Sequence, residues 1–105
     1  MFELASALQI TGMPVSSGLR AGLIMLAKSL SDEVARDGVT VNAILPGYTT
    51  TEETHPSQSL LDKIPAGRFA EPSDQGALAA FLSSEQAHYI TGQAIACDGG
   101  FLRGA

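Results

Sequence analysis

Residues 16–51 constrain this chain more than any other stretch. Leu19, Leu23, Leu26, Ala27, Leu30 and Val34 recur at helical spacing, which makes one broad apolar stripe. Met13-Pro14 biases the preceding chain away from helix. Ser16 and Ser17 suit the capping position, and Gly38 suits the left-handed residue just past a helix end. The pattern predicts a helix over 17–36, with Ser31, Asp32 and Glu33 on its polar face. Residues 39–45 follow at once, β-branched and apolar on both parities. A strand of that kind is covered on both faces, as in a parallel sheet. Pro46-Gly47 ends it.

Residues 47–70 form a long polar connection, with a short helix expected over 57–63. Pro72 opens a second helix, since proline is favoured at the first helical position. Ala77, Leu78, Ala80, Phe81 and Leu82 give it an apolar face, and it should end near Ser84. Residues 93–97 form a second short strand, closed by Asp98-Gly99-Gly100. The order is helix, strand, loop, helix, strand. Two strands cannot cover two apolar helices, so the fold class expected is α/β, the C-terminal part of a doubly wound parallel (Rossmann-type) sheet.

The 105 residues carry a formal net charge of -5, 45% hydrophobic residues and 16% charged ones. That balance describes a globular chain, and its acidity argues against nucleic acid or anionic membrane as a partner. The longest apolar stretch, residues 21–27, is far too short to span a bilayer. The single cysteine, Cys97, rules out an internal disulfide or a thiolate metal cluster and suits a cytoplasmic setting. It is expected to be a small buried hydrophobe. His55 and His88 have no ligand spacing and read as surface residues, so no metal site is expected. Gly18 and Gly22, four apart, are expected to let the helix pack closely on the sheet.

Three segments, residues 20–48, 68–84 and 89–100, resemble the short-chain dehydrogenase/reductase family in order and spacing, nearest to 3-oxoacyl-(acyl carrier protein) reductases. The resemblance implies an NAD- or NADP-dependent oxidoreductase. Hydride would pass between nicotinamide and a small-molecule carbonyl or acyl substrate. Residues 1–105 would be the C-terminal part of the domain, without its dinucleotide-binding half. In the family a Tyr-x-x-x-Lys pair opens the long helix. Its tyrosine position falls on Ser16 and its lysine position on Arg20, so these are the candidate catalytic residues. The family loop at the nicotinamide end corresponds to Pro46, Gly47, Thr49 and Thr51, candidate cofactor contacts together with Arg20. Asn42 matches an asparagine that is structural in the family, and Ser6 is a candidate for the family serine.

The departures weigh as much as the matches. A phenol, ordinarily near pKa 10, can be tuned toward neutrality by a cation; an alkyl hydroxyl is a far weaker acid. Ser16 therefore reads first as a helix cap. Arg20 keeps its charge and its fork of donors, so it can hold ribose or phosphate without relaying protons. None of the eleven glycines forms the Gly-x-x-x-Gly-x-Gly loop that would seat a pyrophosphate on a helix N-terminus. The chain alone is therefore expected neither to bind dinucleotide tightly nor to turn over. Tyr48 is a possible stand-in acid, with packing over the cleft as its default role. The alternative is a non-catalytic, Tyr-less relative acting as an oligomerisation or binding module. On either reading a homo-oligomer is expected, joined through the 17–36 helix and the 93–97 strand.

Overall fold

The computed structural model describes residues 14–102, apart from the side chains of Pro14, Ser16 and Ser17. Ser6 lies outside the described residues. Helix α1 spans Pro14–Val34 and tightens into a 3-10 turn over Ala35–Asp37. Strand β1 is Ala43–Pro46, helix α2 is Gln58–Leu61, helix α3 is Pro72–Leu82, and strand β2 is Ala94–Cys97. The two strands pair in parallel, with Ala43 opposite Ala94 and Pro46 opposite Cys97. The expected order of elements and the α/β parallel class are therefore both present.

The boundaries move for physical reasons. Helix α1 is already helical at Pro14, where the sequence pattern predicts it only from residue 17. Ser16 and Ser17 consequently lie within the helix and are not its caps. Gly38 takes φ 76° and its N–H donates to the Ala35 carbonyl, as a helix-terminating glycine should. Strand β1 starts at residue 43 and not at 39. The Val41 N–H is bonded to the Thr91 hydroxyl instead of a ladder carbonyl. The Asn42 side chain then replaces a rung: its Nδ2 donates to the Ile90 carbonyl at 3.0 Å, and its Oδ1 accepts the Gln93 N–H at 3.1 Å. Asn42 thus fixes where the ladder begins, consistent with a structural role.

Helix α2 is shorter than expected and is capped by Ser57, whose side chain accepts the Leu60 N–H. Helix α3 begins as read from Pro72 and ends two residues earlier than expected, at Leu82. Its first turn is fastened by Asp74, whose Oδ2 accepts both the Glu71 N–H at 2.8 Å and an Arg68 Nη1–H at 3.0 Å.

Among the described residues the buried apolar ones are few: Ile24, Leu45, Ile64, Phe69 and Ala87. Residue for residue, β1 is not covered on both faces; only Leu45 is buried and its neighbours are half-buried or exposed. The stripe on α1 faces outward as well, with Leu19, Leu23, Leu26 and Leu30 at 71%, 65%, 63% and 44% exposure. Ser31, expected on the polar face, is instead buried and donates to the Lys28 carbonyl at 2.6 Å. It sits where α1 meets the turn before β2: a Cβ on Gly92 would come within 2.7 Å of Ser31 Oγ. That close approach, and not Gly18 or Gly22, seats the helix, for a Cβ at either of those positions would meet nothing within 4 Å.

Candidate functional site

The carboxyl ends of parallel strands are where open α/β sheets gather their ligands, and here both strand ends converge on one place. The chain leaves β1 through Gly47, whose N–H donates to the Cys97 carbonyl at 3.1 Å. A Cβ at Gly47 would lie 2.6 Å from both Cα and Cβ of Asp98, so only glycine lets the two exits touch. Asp98 is itself tied down: its carboxylate accepts the Gly100 N–H at 2.9 Å and the Leu102 N–H at 2.8 Å. Cys97 is half-buried, less enclosed than its sequence context implies. Its carbonyl also accepts from Gln75 Nε2 at 2.9 Å, which fixes α3 against the end of β2.

The long connection is anchored to the same region. The Ala66 N–H donates to the Gly99 carbonyl at 3.0 Å. Ala70 closes the connection against its own start, its N–H donating to the Tyr48 carbonyl and its carbonyl accepting the Thr50 N–H, both at 2.8 Å. Residues 51–69 are therefore an excursion with its two ends joined beside the site. Tyr48 lies at that junction. Its ring stacks on Phe69 with centroids 5.4 Å apart and meets Phe101 edge-on at 5.4 Å.

Between α1 and these strand ends lies an apolar cavity of about 510 Å³. Arg20 and Ile24 of α1 form one wall. Pro46, Gly47 and Tyr48 form another, and Asp98 and Phe101 close it. Three of the residues read from sequence as cofactor contacts, Arg20, Pro46 and Gly47, thus share one cavity. Thr49 and Thr51 do not line it. The Thr49 hydroxyl donates to the Gly47 carbonyl at 3.0 Å, and Thr51 pairs with the Thr54 hydroxyl at 2.6 Å while accepting the Thr54 N–H. Both threonines shape the turn. Ser16 lies on α1 one turn before Arg20. The clamp of Phe69 and Phe101 on Tyr48 could not be found from sequence, because the three rings are brought together only by the folded connection. The Pro-Gly-aromatic run was the one signal pointing to it.

Fold and site together define a chain of the parallel α/β class whose polar groups gather at the strand ends, on the side where such sheets take their ligands. The family described as enoyl-(acyl carrier protein) reductase matches residues 4–102, and the chain belongs to the short-chain dehydrogenase/reductase family. It is 40% identical over 110 residues to the 3-oxoacyl-[acyl-carrier-protein] reductase of Rickettsia felis, covering 97% of this chain and 46% of that protein. It is 36% identical to the 2-dehydro-3-deoxy-D-gluconate 5-dehydrogenase of Bacillus subtilis, again over 97% of this chain and 44% of the relative. Among solved structures, an NADPH-dependent reductase involved in bacilysin biosynthesis superimposes with a TM-score of 0.87 at 33% identity, covering 92% of this chain and 43% of that one. The chain therefore spans about half the length of the curated relatives it matches.

Proposed function

We propose that these residues are the C-terminal part of an NAD(P)-dependent oxidoreductase that moves hydride between nicotinamide and a carbonyl or alcohol substrate, of the 3-oxoacyl reductase type. The observation that carries the reading is the meeting of Arg20 with Pro46 and Gly47 on one cavity at the ends of parallel strands. Arg20 is the group that would hold the cofactor's ribose or phosphate, through a fork of donors that stays charged at working pH. The backbone between Pro46 and Thr49 would meet the nicotinamide end, with Thr51 setting the turn. The bound cofactor supplies the hydride; this chain's part is to position it and to exclude water with apolar walls. Ser16 occupies the family's tyrosine position and supplies no comparable acid.

The relatives' matched lengths support placing a dinucleotide-binding half beyond these residues. On its own the chain offers the nicotinamide end of a site without a pyrophosphate cradle. A cytoplasmic setting fits the single thiol.

The reading is tested in the complete reductase that carries these residues. It should oxidise NADPH or NADH with a 3-oxoacyl thioester, and Arg20→Ala should weaken cofactor affinity tenfold or more. Unchanged cofactor affinity in that variant would remove Arg20 from the site.

A second reading is favoured by one observation, the exposure of Leu19, Leu23, Leu26 and Leu30 along a single helix. Contiguous apolar surface of that kind marks an interaction face. A non-catalytic association module built on α1, with the strand over 93–97 as its second contact, would use it to form a homo-oligomer.

A further inference from the structure

We infer that Tyr48 delivers the proton to the substrate oxygen, replacing the phenol that position 16 has lost. The inference rests on the oxidoreductase reading above and goes beyond it, because that reading leaves the reaction without an acid.

The chain has two tyrosines. Tyr89 is 95% exposed on the turn before β2 and does not line the cavity that holds Arg20. Tyr48 lines the same cavity as Arg20. Its position is set from both sides. The Gly47 N–H is bonded to β2's last carbonyl, and the Tyr48 carbonyl accepts from Ala70. Its ring is held flat against Phe69, with planes 20° apart, and edge-on to Phe101, at 83°. Phe69 is itself buried at 4% exposure, so the clamp is anchored in the core. Aromatic pairs of this geometry resist reorientation, and a catalytic group gains most when its geometry is fixed before substrate arrives.

Among the described residues, the other polar groups nearby are spent or unsuited. The Asp98 carboxylate accepts two backbone N–H groups. Thr49 and Thr51 bond within their own turn and lie off the cavity. Arg20 does not give up a proton in the working pH range. A phenol is the most acidic hydroxyl that side chains offer, and here it shares a cavity with Arg20.

In the reductive direction the carbonyl carbon gains a hydride, with both its electrons, from the reduced nicotinamide, which is thereby oxidised. The C=O π pair closes onto oxygen, and that oxygen takes the proton as the O–H bond of Tyr48 breaks. The resulting phenolate shares the cavity with Arg20 and is reprotonated by water. In the oxidative direction the same phenolate accepts the alcohol proton.

Because there are only two tyrosines, ring-labelled [13C]tyrosine gives two sets of NMR signals from the 105-residue chain. Titration with ethyl acetoacetate as the probe should move the Tyr48 set saturably and leave the Tyr89 set in place, with Tyr48→Phe supplying the assignment. In the complete reductase, Tyr48→Phe keeps the ring clamp and removes the hydroxyl. It should lower kcat by about 100-fold or more while KM and NADPH affinity stay within twofold, and Tyr89→Phe should behave as wild type. A probe that moves neither set or moves only Tyr89 overturns the assignment, as does a Tyr48→Phe enzyme within threefold of the wild-type kcat. A wild-type enzyme that oxidises no nicotinamide with any carbonyl substrate would instead overturn the oxidoreductase reading, and that outcome is distinguishable because the NMR titration still judges Tyr48.

Discussion

Replacing Gly47 with alanine should damage this fold more than any other single methyl group added to the site. The added Cβ would lie 2.6 Å from Asp98 Cα and Cβ and 3.3 Å from its carbonyl carbon. Two of those atoms are backbone, so no side chain can swing aside. Asp98 cannot yield cheaply either, since moving it strains its bonds to the N–H groups of Gly100 and Leu102. Overpacking of this kind costs about 1–3 kcal/mol. Loss of one charge-assisted hydrogen bond adds about 1.5–3 kcal/mol. The expected loss is thus about 2.5–6 kcal/mol, large against the roughly 5–15 kcal/mol that holds an ordinary domain together. For a chain of this length each kcal/mol lowers Tm by about 4–8 °C, so a fall of at least 10 °C is expected. The assay is thermal unfolding followed by circular dichroism, with urea titration as a second measure. Gly67→Ala is the control: φ there is 72° but a Cβ would meet nothing within 4 Å, so it should lose only the left-handed backbone cost of about 1–2 kcal/mol. If Gly47→Ala unfolds within 2 °C of wild type, the strand exits do not touch as described.

Three further outcomes follow from the same structure. Asn42→Ala removes both side-chain bonds at the start of the ladder and should cost about 1–3 kcal/mol in urea unfolding, with faster hydrogen exchange at the Gln93 amide. Asp74 is held below the usual carboxylate range, first by its hydrogen bond from Arg68 and then by the Glu71 N–H. A depressed folded-state pKa contributes stability above the unfolded value, near 3.9, that is lost as pH falls through the folded one. Asp74→Asn should therefore flatten the stability profile below about pH 4, as read by melts across a pH series. Leu23→Glu with Leu26→Glu alters two residues that are 65% and 63% exposed, so the fold should change by less than about 0.5 kcal/mol. If α1 joins copies of the chain, the double variant should elute as a smaller species on size exclusion.

What the sequence made legible was what depends on periodicity and punctuation. The α1 stripe, the β-branched run, Pro72 and the glycine at 38 each act within a few residues, and each gave its element in the right order. Arg20 and the Pro46-Gly47 turn could be assigned to one site only through the resemblance to the short-chain dehydrogenase/reductase family. The misses came from long-range packing. Pro14, Ser16 and Ser17 lie inside the helix that the pattern places from residue 17. Ser31 reads as polar surface and is buried, because Gly92, far along the chain, leaves room for it. Thr49 and Thr51 carry the expected hydroxyls, but local turn bonds use them. The aromatic clamp on Tyr48 depends on the excursion over 51–69 closing on itself, which no local pattern reports.

The central claim is that these residues hold the nicotinamide end of a dinucleotide site and depend on another half of the fold for the rest. Isothermal titration of the 105-residue chain with NADPH and with NADH tests it most directly. The account predicts no saturable binding below millimolar concentration for either nucleotide. A micromolar Kd for the isolated chain would contradict it.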